Sequence, residues 1–262
     1  MTNNMQSPIK LSIIIPTWNE EKRLPPTLES YLNFFIPIYG NNLEIIIMPN
    51  NCQDKTVEII QKFQEKHPQI KYKYLTRPGK GNAVIEGLKL AQGDLIGFVD
   101  ADNSTRPKEF YDLVQSIKSH DATIASRWIK GAKINIKQPL KRRIASRGFN
   151  FLVRTLFGLQ LTDTQCGAKL FKKQAIKHIL PELGITEWGF DIDILYQLKR
   201  AGYKIREIPT TWYDSPDSRL KIGKVGYQMF LSATRLRLIY SPFKFIVNAY
   251  DLTRDNLRGK NK

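Results

Sequence analysis

Through the first 126 residues, short apolar runs alternate with amphipathic stretches. Leu11–Ile15, Leu43–Met48, Ile70–Leu75, Leu95–Val99 and Ala122–Ala125 predict strands, several of them unbroken β-branched runs of the kind covered on both sheet faces. Pro25–Phe35, Thr56–Lys66, Asn82–Ala91 and Pro107–Lys118 predict helices. Prolines suit the first turn of the first helix. Asp54 stands just ahead of the second as an N-cap, and Val57, Ile60 and Phe63 line one of its faces. Strand–helix alternation with short connections predicts an α/β fold built on a doubly wound, mostly parallel sheet flanked by helices. Ligands of such sheets bind beyond the carboxyl ends of the strands.

After residue 126 the pattern loosens. It reads as a basic helical stretch around Lys141–Phe157, a polar loop Thr162–Lys169, a helix Asp191–Ala201, a strand Lys204–Ile208 and a last helix around Val225–Tyr240. That last helix mixes Tyr227, Phe230, Leu231, Leu238 and Ile239 with Arg235 and Arg237, which suits either a membrane surface or core packing with charges outward. An apolar start, Phe243 to Val247, then leads into a polar, basic end.

Composition narrows the classes. With 262 residues, 42% hydrophobic and 25% charged, the chain has enough apolar material for a core, which excludes disorder as its main state. No apolar run approaches the roughly 18–20 residues needed to span a bilayer, and the polar start lacks a signal-peptide pattern, so a cytoplasmic protein is expected. Cys52 and Cys166 form no CxxC or Cys/His cluster, which suits a reducing compartment and disfavours structural zinc. His67, His120 and His178 have no metal-ligand spacing.

The net charge of +17 belongs to the second half: residues 1–126 carry 14 basic and 14 acidic side chains, residues 127–262 carry 27 and 10. Arg127 to Thr162 holds nine basic residues and no acidic one. A nucleic acid, an anionic membrane face or a phosphorylated substrate would each answer that charge.

The strand Leu95–Val99 runs into Asp100-Ala101-Asp102, so two carboxylates emerge at its carboxyl end. Such a pair can hold Mg²⁺ or Mn²⁺ while the ion bridges diphosphate oxygens, although DxD tripeptides also occur in plain solvated loops. Together with Ser12-Ile13-Ile14-Ile15-Pro16-Thr17-Trp18-Asn19-Glu20, the turn Arg77-Pro78-Gly79-Lys80-Gly81, and Asp163-Thr164-Gln165-Cys166-Gly167 with Lys169 and Phe171, this motif resembles the family 2 glycosyltransferases. The likeness is strongest to the polyprenyl-phosphate sugar synthases, of the dolichyl-phosphate glucose and mannose kind.

The resemblance implies a GT-A fold over residues 1–220, with a nucleotide-binding half to 126 and an acceptor half beyond, and a basic amphipathic helix and tail over 221–262. It implies an inverting transfer from a nucleotide-diphosphate sugar, of UDP-glucose or GDP-mannose type, to a polyprenyl phosphate at the cytosolic face of a membrane with an anionic surface. Pro16, Thr17 and Glu20 look like residues around the base and ribose. Lys80 and Ala101 fall in the donor site, Lys80 toward phosphate. Asp102 is the expected direct metal ligand, with Asp100 on ribose or on the metal through water. Asn50 stands where the family has a carboxylate that accepts from the base, and an amide accepts more weakly. Asp54 matches a later family aspartate.

In the basic half, Arg127 resembles a strand-end arginine for the acceptor phosphate, with Arg142, Arg143 or Arg147 as a further cation. The Asp163–Gly167 segment resembles a site-lining loop. Asp191 matches the catalytic base of members that act on hydroxyl acceptors, with a helix N-cap as the competing reading. Arg219 resembles the closing-loop cation that offsets leaving-group charge. Transfer to a sugar hydroxyl, in polysaccharide or glycolipid assembly, is the second reading. A basic nucleic-acid-binding protein is the remote third, since no binding module with interleaved aromatics is present.

Overall fold

The computed structural model describes residues 9–135, 140–184, 189–213, 222–245 and 247, with backbone alone for 140–145 and 222–225. Seven strands form one sheet in the order β3-β2-β1-β4-β7-β5-β8. β1 (Leu11–Thr17), β2 (Leu43–Pro49) and β4 (Leu95–Phe98) are its apolar centre, and every residue of β1 and β2 is buried. The unbroken runs are explained by what covers them. α1 (Leu24–Tyr39), α2 (Thr56–Lys66) and α4 (Pro107–Ser116) cover one face through Leu28, Tyr31, Phe35, Ile60 and Phe110. α3 (Lys80–Leu90), α6 (Lys173–Ile179) and α7 (Phe190–Arg200) cover the other through Val84, Leu88, Ile176, Ile194 and Leu198.

β3 (Ile70–Tyr72) runs parallel to β2, and β5 (Ala122–Ser126) and β8 (Ile205–Pro209) run parallel to each other. β3 is shorter than expected: after Tyr72 the pairing thins to a single bridge between Leu75 and Asn50.

Within the seven-stranded sheet, one strand was not expected. β7 (Lys169–Lys172) lies antiparallel between β4 and β5, where Lys169 is paired with Phe98 and with Ile124. Its reversed direction brings the preceding residues 163–168 to the carboxyl ends of the parallel strands. A two-stranded ribbon, β6 (Lys133–Ile134) with β9 (Thr211–Trp212), flanks the sheet. α5 (Leu140–Phe157) and α8 (Ile222–Ile239) pack on each other through Val153, Phe157, Ala233 and Leu236.

Candidate active site

The carboxyl ends of β1, β2, β4 and β5 converge on one rim of the sheet. There the loop after β1 is stitched to the loop after β2: Glu20 N–H donates to Thr56 Oγ1 (2.8 Å), Glu21 N–H to Asp54 Oδ2 (3.1 Å) and Gln53 N–H to Asn19 Oδ1 (2.7 Å). Asp54 Oδ1 also accepts the N–H of Thr56, but the N-cap of α2 is Lys55, without a side-chain cap bond, so Asp54 braces the helix start from one residue further out than expected while joining the two loops. Glu20 holds Arg23 through two bonds, at 2.6 and 2.7 Å. Pro16 is buried within β1, and the buried Thr17 hydroxyl has no partner among the described residues.

Asn50, just past β2, is tied to backbone on both sides. It is 3% exposed, its Nδ2 donates to Thr17 O (2.8 Å), and its Oδ1 accepts from Gly79 N–H (3.2 Å). Both halves of the amide are committed to backbone. The residue fastens the N-terminus of α3 to the ends of β1 and β2, and the following Asn51 takes a left-handed φ of 49°.

Past β4, Asp100 is ion-paired with Lys80, the first residue of α3. Ala101 O accepts the Thr27 hydroxyl of α1 (2.8 Å), and Asp102 Oδ1 accepts from Ser104 N–H (3.0 Å). Burial, and then the adjacent Asp100, push the Asp102 carboxyl above its ordinary range. Burial alone would pull the Lys80 ammonium down, yet Asp100, Asp191 and Asp102 together hold it well above its usual range. A site that strains a carboxylate in this way fits a hard divalent cation. Among the described residues no group of three or more His, Cys, Asp or Glu side chains is poised for a metal; the carboxylates at this strand end are those of Asp100 and Asp102.

For Asp191 the competing N-cap reading does not hold. α7 starts at Phe190 after Gly189, which has no side-chain cap, and Asp191 lies in the first turn. Its carboxylate accepts from the fully buried Lys169 ammonium at 2.5 Å, and that ammonium also donates to Cys166 O at 2.7 Å. Asp191 is neither cap nor unengaged base, because β7 carries a cation to it.

Arg127 is likewise not a free cation. Its guanidinium grips Asp163 with two bonds, Nε to Oδ2 at 2.8 Å and Nη2 to Oδ1 at 2.9 Å, and lies 4.9 Å from the Trp212 ring. Asp163 and Thr162 are fixed in turn by Glu207 of β8. Near this pair several N–H donors among the described residues are unpartnered. Asn150 Nδ2, Gln165 Nε2, Trp128 Nε1 and Trp212 Nε1 are buried without partners among the described residues. Asn150 accepts from Thr164, beside Asp163, and Arg147 lies 5.6 Å from the Trp128 ring. Burial and the neighbouring Asp163 push the Cys166 thiol up to about 12, so it is no nucleophile. Arg143 and Arg142 lie on α5, but their side chains are outside the described residues, and Arg219 is outside them altogether.

A doubly wound sheet with an antiparallel strand inserted beside a DxD-bearing strand end defines a nucleotide-sugar transferase of the GT-A fold. Solved structures that share that fold include the following two. Glucosyl-3-phosphoglycerate synthase from Mycobacterium tuberculosis, in complex with Mn²⁺, UDP and phosphoglyceric acid, superposes with TM-score 0.62 at 16% identity, over 85% of this chain and 76% of that one. The mannosyltransferase PcManGT from Pyrobaculum calidifontis, in complex with GDP-Man and Mn²⁺, gives 0.61 at 16% identity, over 90% and 67%.

The chain belongs to Glycosyl transferase family 2, whose profile matches residues 12–180. It is similar to the dolichyl-phosphate beta-glucosyltransferase of Dictyostelium discoideum, with 31% identity over 88% of this chain and 75% of that protein. The Saccharomyces cerevisiae protein of the same name is 29% identical over 88% and 75%.

Proposed function

We propose that this glycosyltransferase moves a sugar, glucose from UDP-glucose in the first instance, onto a polyprenyl phosphate at a membrane face, with inversion. The observation that carries the reading is the strand-end pair Asp100 and Asp102 with Lys80 seated on it, in a chain 31% identical to a dolichyl-phosphate beta-glucosyltransferase. Asp102, with Asp100, would hold Mg²⁺ or Mn²⁺ against the donor diphosphate. The ion, when bound, supplies charge stabilisation to the departing nucleotide.

Two features of the chain favour a phosphate acceptor over a hydroxyl. A hydroxyl must lose a proton to a general base, and Asp191 is already engaged by Lys169. A phosphate monoester arrives ionised. Its oxygen forms the bond to C1 from the side opposite the diphosphate, the C1–O bond to the diphosphate breaks, and the electron pair leaves on the nucleotide. No proton has to move. The unsatisfied N–H groups of Asn150, Gln165, Trp128 and Trp212 beside Arg127 would suit an anion. Lys80, with Arg219 if the family resemblance at that position holds, would offset charge on the leaving nucleotide.

The test is nucleotide release by purified protein from UDP-glucose, GDP-mannose and other nucleotide sugars, with Mg²⁺ or Mn²⁺, with and without polyprenyl phosphate. Release that requires the lipid phosphate, greatest with UDP-glucose, is expected. Release driven equally by a sugar alcohol would favour the hydroxyl reading, and no release with any donor would end the proposal.

A further inference from the structure

α8 is apolar on two opposite sides. At about 100° per residue, Ser232, Ala233, Leu236 and Tyr240 share one side; the first three are buried, and Ala233 and Leu236 pack against α5. Tyr227, Phe230, Leu231 and Leu238 share the other. Tyr227 is 64% exposed, and Phe230 and Leu231 are each 46% exposed. By the same spacing Arg235 and Arg237 fall on the two borders of this outer stripe. A helix that needed only one buried side would carry polar residues here.

Of the ten large apolar side chains exposed among the described residues, three more lie on α5, the helix that packs on α8, or just past the end of α8: Phe151, Phe243 and Phe245, the last two with ring centroids 6.4 Å apart. Phe151 is flanked one helical turn away by the exposed Arg147 and Arg154, and Lys244 stands between the two phenylalanines. α5 and α8 together contain eight basic residues and no acidic one. Aromatic and leucine side chains bordered by long cationic ones form a surface that inserts rings at the headgroup level while its cations reach lipid phosphates.

We propose that the outer face of α8, with Phe151, Phe243 and Phe245, is the surface by which this protein docks on an anionic lipid bilayer. A second copy of the chain is the poorer occupant, because pairing this face with itself would oppose two acid-free basic surfaces. Docking gives the acceptor reading a geometry, for Phe151 follows directly on Asn150, whose buried amide faces the Thr164 loop. The inference rests on the proposed function only for its purpose; the binding itself needs no acceptor.

The full chain is tested by co-sedimentation with vesicles of phosphatidylcholine alone and of phosphatidylcholine containing phosphatidylglycerol, without polyprenyl phosphate. Wild type is expected to bind the anionic vesicles, less so as salt is raised. The variant Phe230→Ser/Leu231→Ser is expected to lose about tenfold or more in vesicle affinity, the tenfold of about 1.4 kcal/mol being less than one buried aromatic side chain supplies. Thermal melting should fall only modestly, since both residues are about half exposed. Transfer to a short, water-soluble isoprenyl phosphate is expected to match wild type. Vesicle binding by the variant equal to wild type, or none by wild type, overturns the assignment. So does a concentration-dependent dimer that the substitutions abolish, which would give the face to a second copy. Failure of transfer to the soluble acceptor by wild type counts against the proposed function and leaves the vesicle result standing.

Discussion

The carboxylate of Asp100 rests against the Cα of Gly167, in space that the Cβ of any other residue would occupy. Asp100 lies at the end of β4 and Gly167 just ahead of antiparallel β7, so the bare glycine lets the carboxylate lie back and meet Lys80. Gly167→Ala is expected to displace Asp100 and with it Lys80. A misplacement of about 1 Å near a reacting centre can cost on the order of 10²-fold in rate. Steady-state transfer should therefore fall about that far while circular dichroism is unchanged. Wild-type rates in Gly167→Ala would remove Asp100 from the working site.

Asp102 is expected to matter more than its neighbour, because burial pushes its carboxyl above the ordinary range, whereas Asp100 is already paired with Lys80. Loss of one transition-state electrostatic contact costs on the order of 10²–10³ in rate. Asp102→Ala should fall at least that far, and titration calorimetry with Mn²⁺ and the nucleotide should lose its metal-dependent heat. Retained turnover would place the ion elsewhere.

The buried pair of Lys169 and Asp191 separates structural from catalytic need. Breaking such a pair by removing one partner typically costs about 3–5 kcal/mol, because the other charge is left stranded. Lys169→Met is accordingly expected to lower the melting temperature sharply, and Lys169→Met/Asp191→Leu to recover much of it. Asp191→Asn should keep measurable transfer to polyprenyl phosphate. Removal of a general base costs about 10²–10⁴-fold, so a collapse of that size in a folded Asp191→Asn protein would return the base to this position.

Much of the fold was legible because both faces of β1, β2, β4 and β5 are covered, which demands apolar runs that no solvated segment tolerates. β7 hid behind its own composition. Two lysines bracket Leu170-Phe171, and Lys169 becomes a core residue only because Asp191, 22 positions away, neutralises it. The same holds for the site. The strand-end aspartates and Lys80 stood out because local pattern puts them at element boundaries. The pairing of Arg127 with Asp163, and the capture of both Asn50 amide groups by backbone, depend on distant partners. An opposite charge or a backbone carbonyl brought in by topology leaves no local spacing to read, although the charged Glu207 within β8, which secures Asp163, was a visible irregularity.

Asn50 yields a prediction opposite in sign to that of a base-reading residue. Aspartate at this position would still accept from Gly79 N–H, but its second oxygen would face Thr17 O, with no hydrogen between two acceptors. An unsatisfied buried polar group costs about 1–3 kcal/mol. Asn50→Asp should melt earlier and raise the KM for the nucleotide sugar, since Gly79 sets the start of α3 and hence Lys80. A lower donor KM in Asn50→Asp would mean that the side chain at this position reads the base directly.

Acid should act on the fold through Glu44, far from the strand-end carboxylates. Its side chain is 1% exposed. Burial alone would raise it, but Lys71 Nζ at 2.8 Å, the Ser12 hydroxyl at 2.6 Å and Gln92 N–H at 2.6 Å hold it below the ordinary glutamate range. For a carboxylate lowered by folding, the unfolded chain binds more protons, so its contribution is complete above the ordinary glutamate range. That contribution is lost as pH falls through the lowered folded value. Glu44→Gln keeps an oxygen for Ser12 and Gln92 but gives up the charge toward Lys71. A bond to a charged group contributes about 1.5–3 kcal/mol, discounted here because Lys71 is half exposed. The variant should therefore be modestly less stable at neutral pH, and its melting temperature should fall less steeply than that of wild type as pH drops below the ordinary glutamate range. Parallel pH–melting curves for the two proteins would show that the acid sensitivity of the fold arises from another carboxylate.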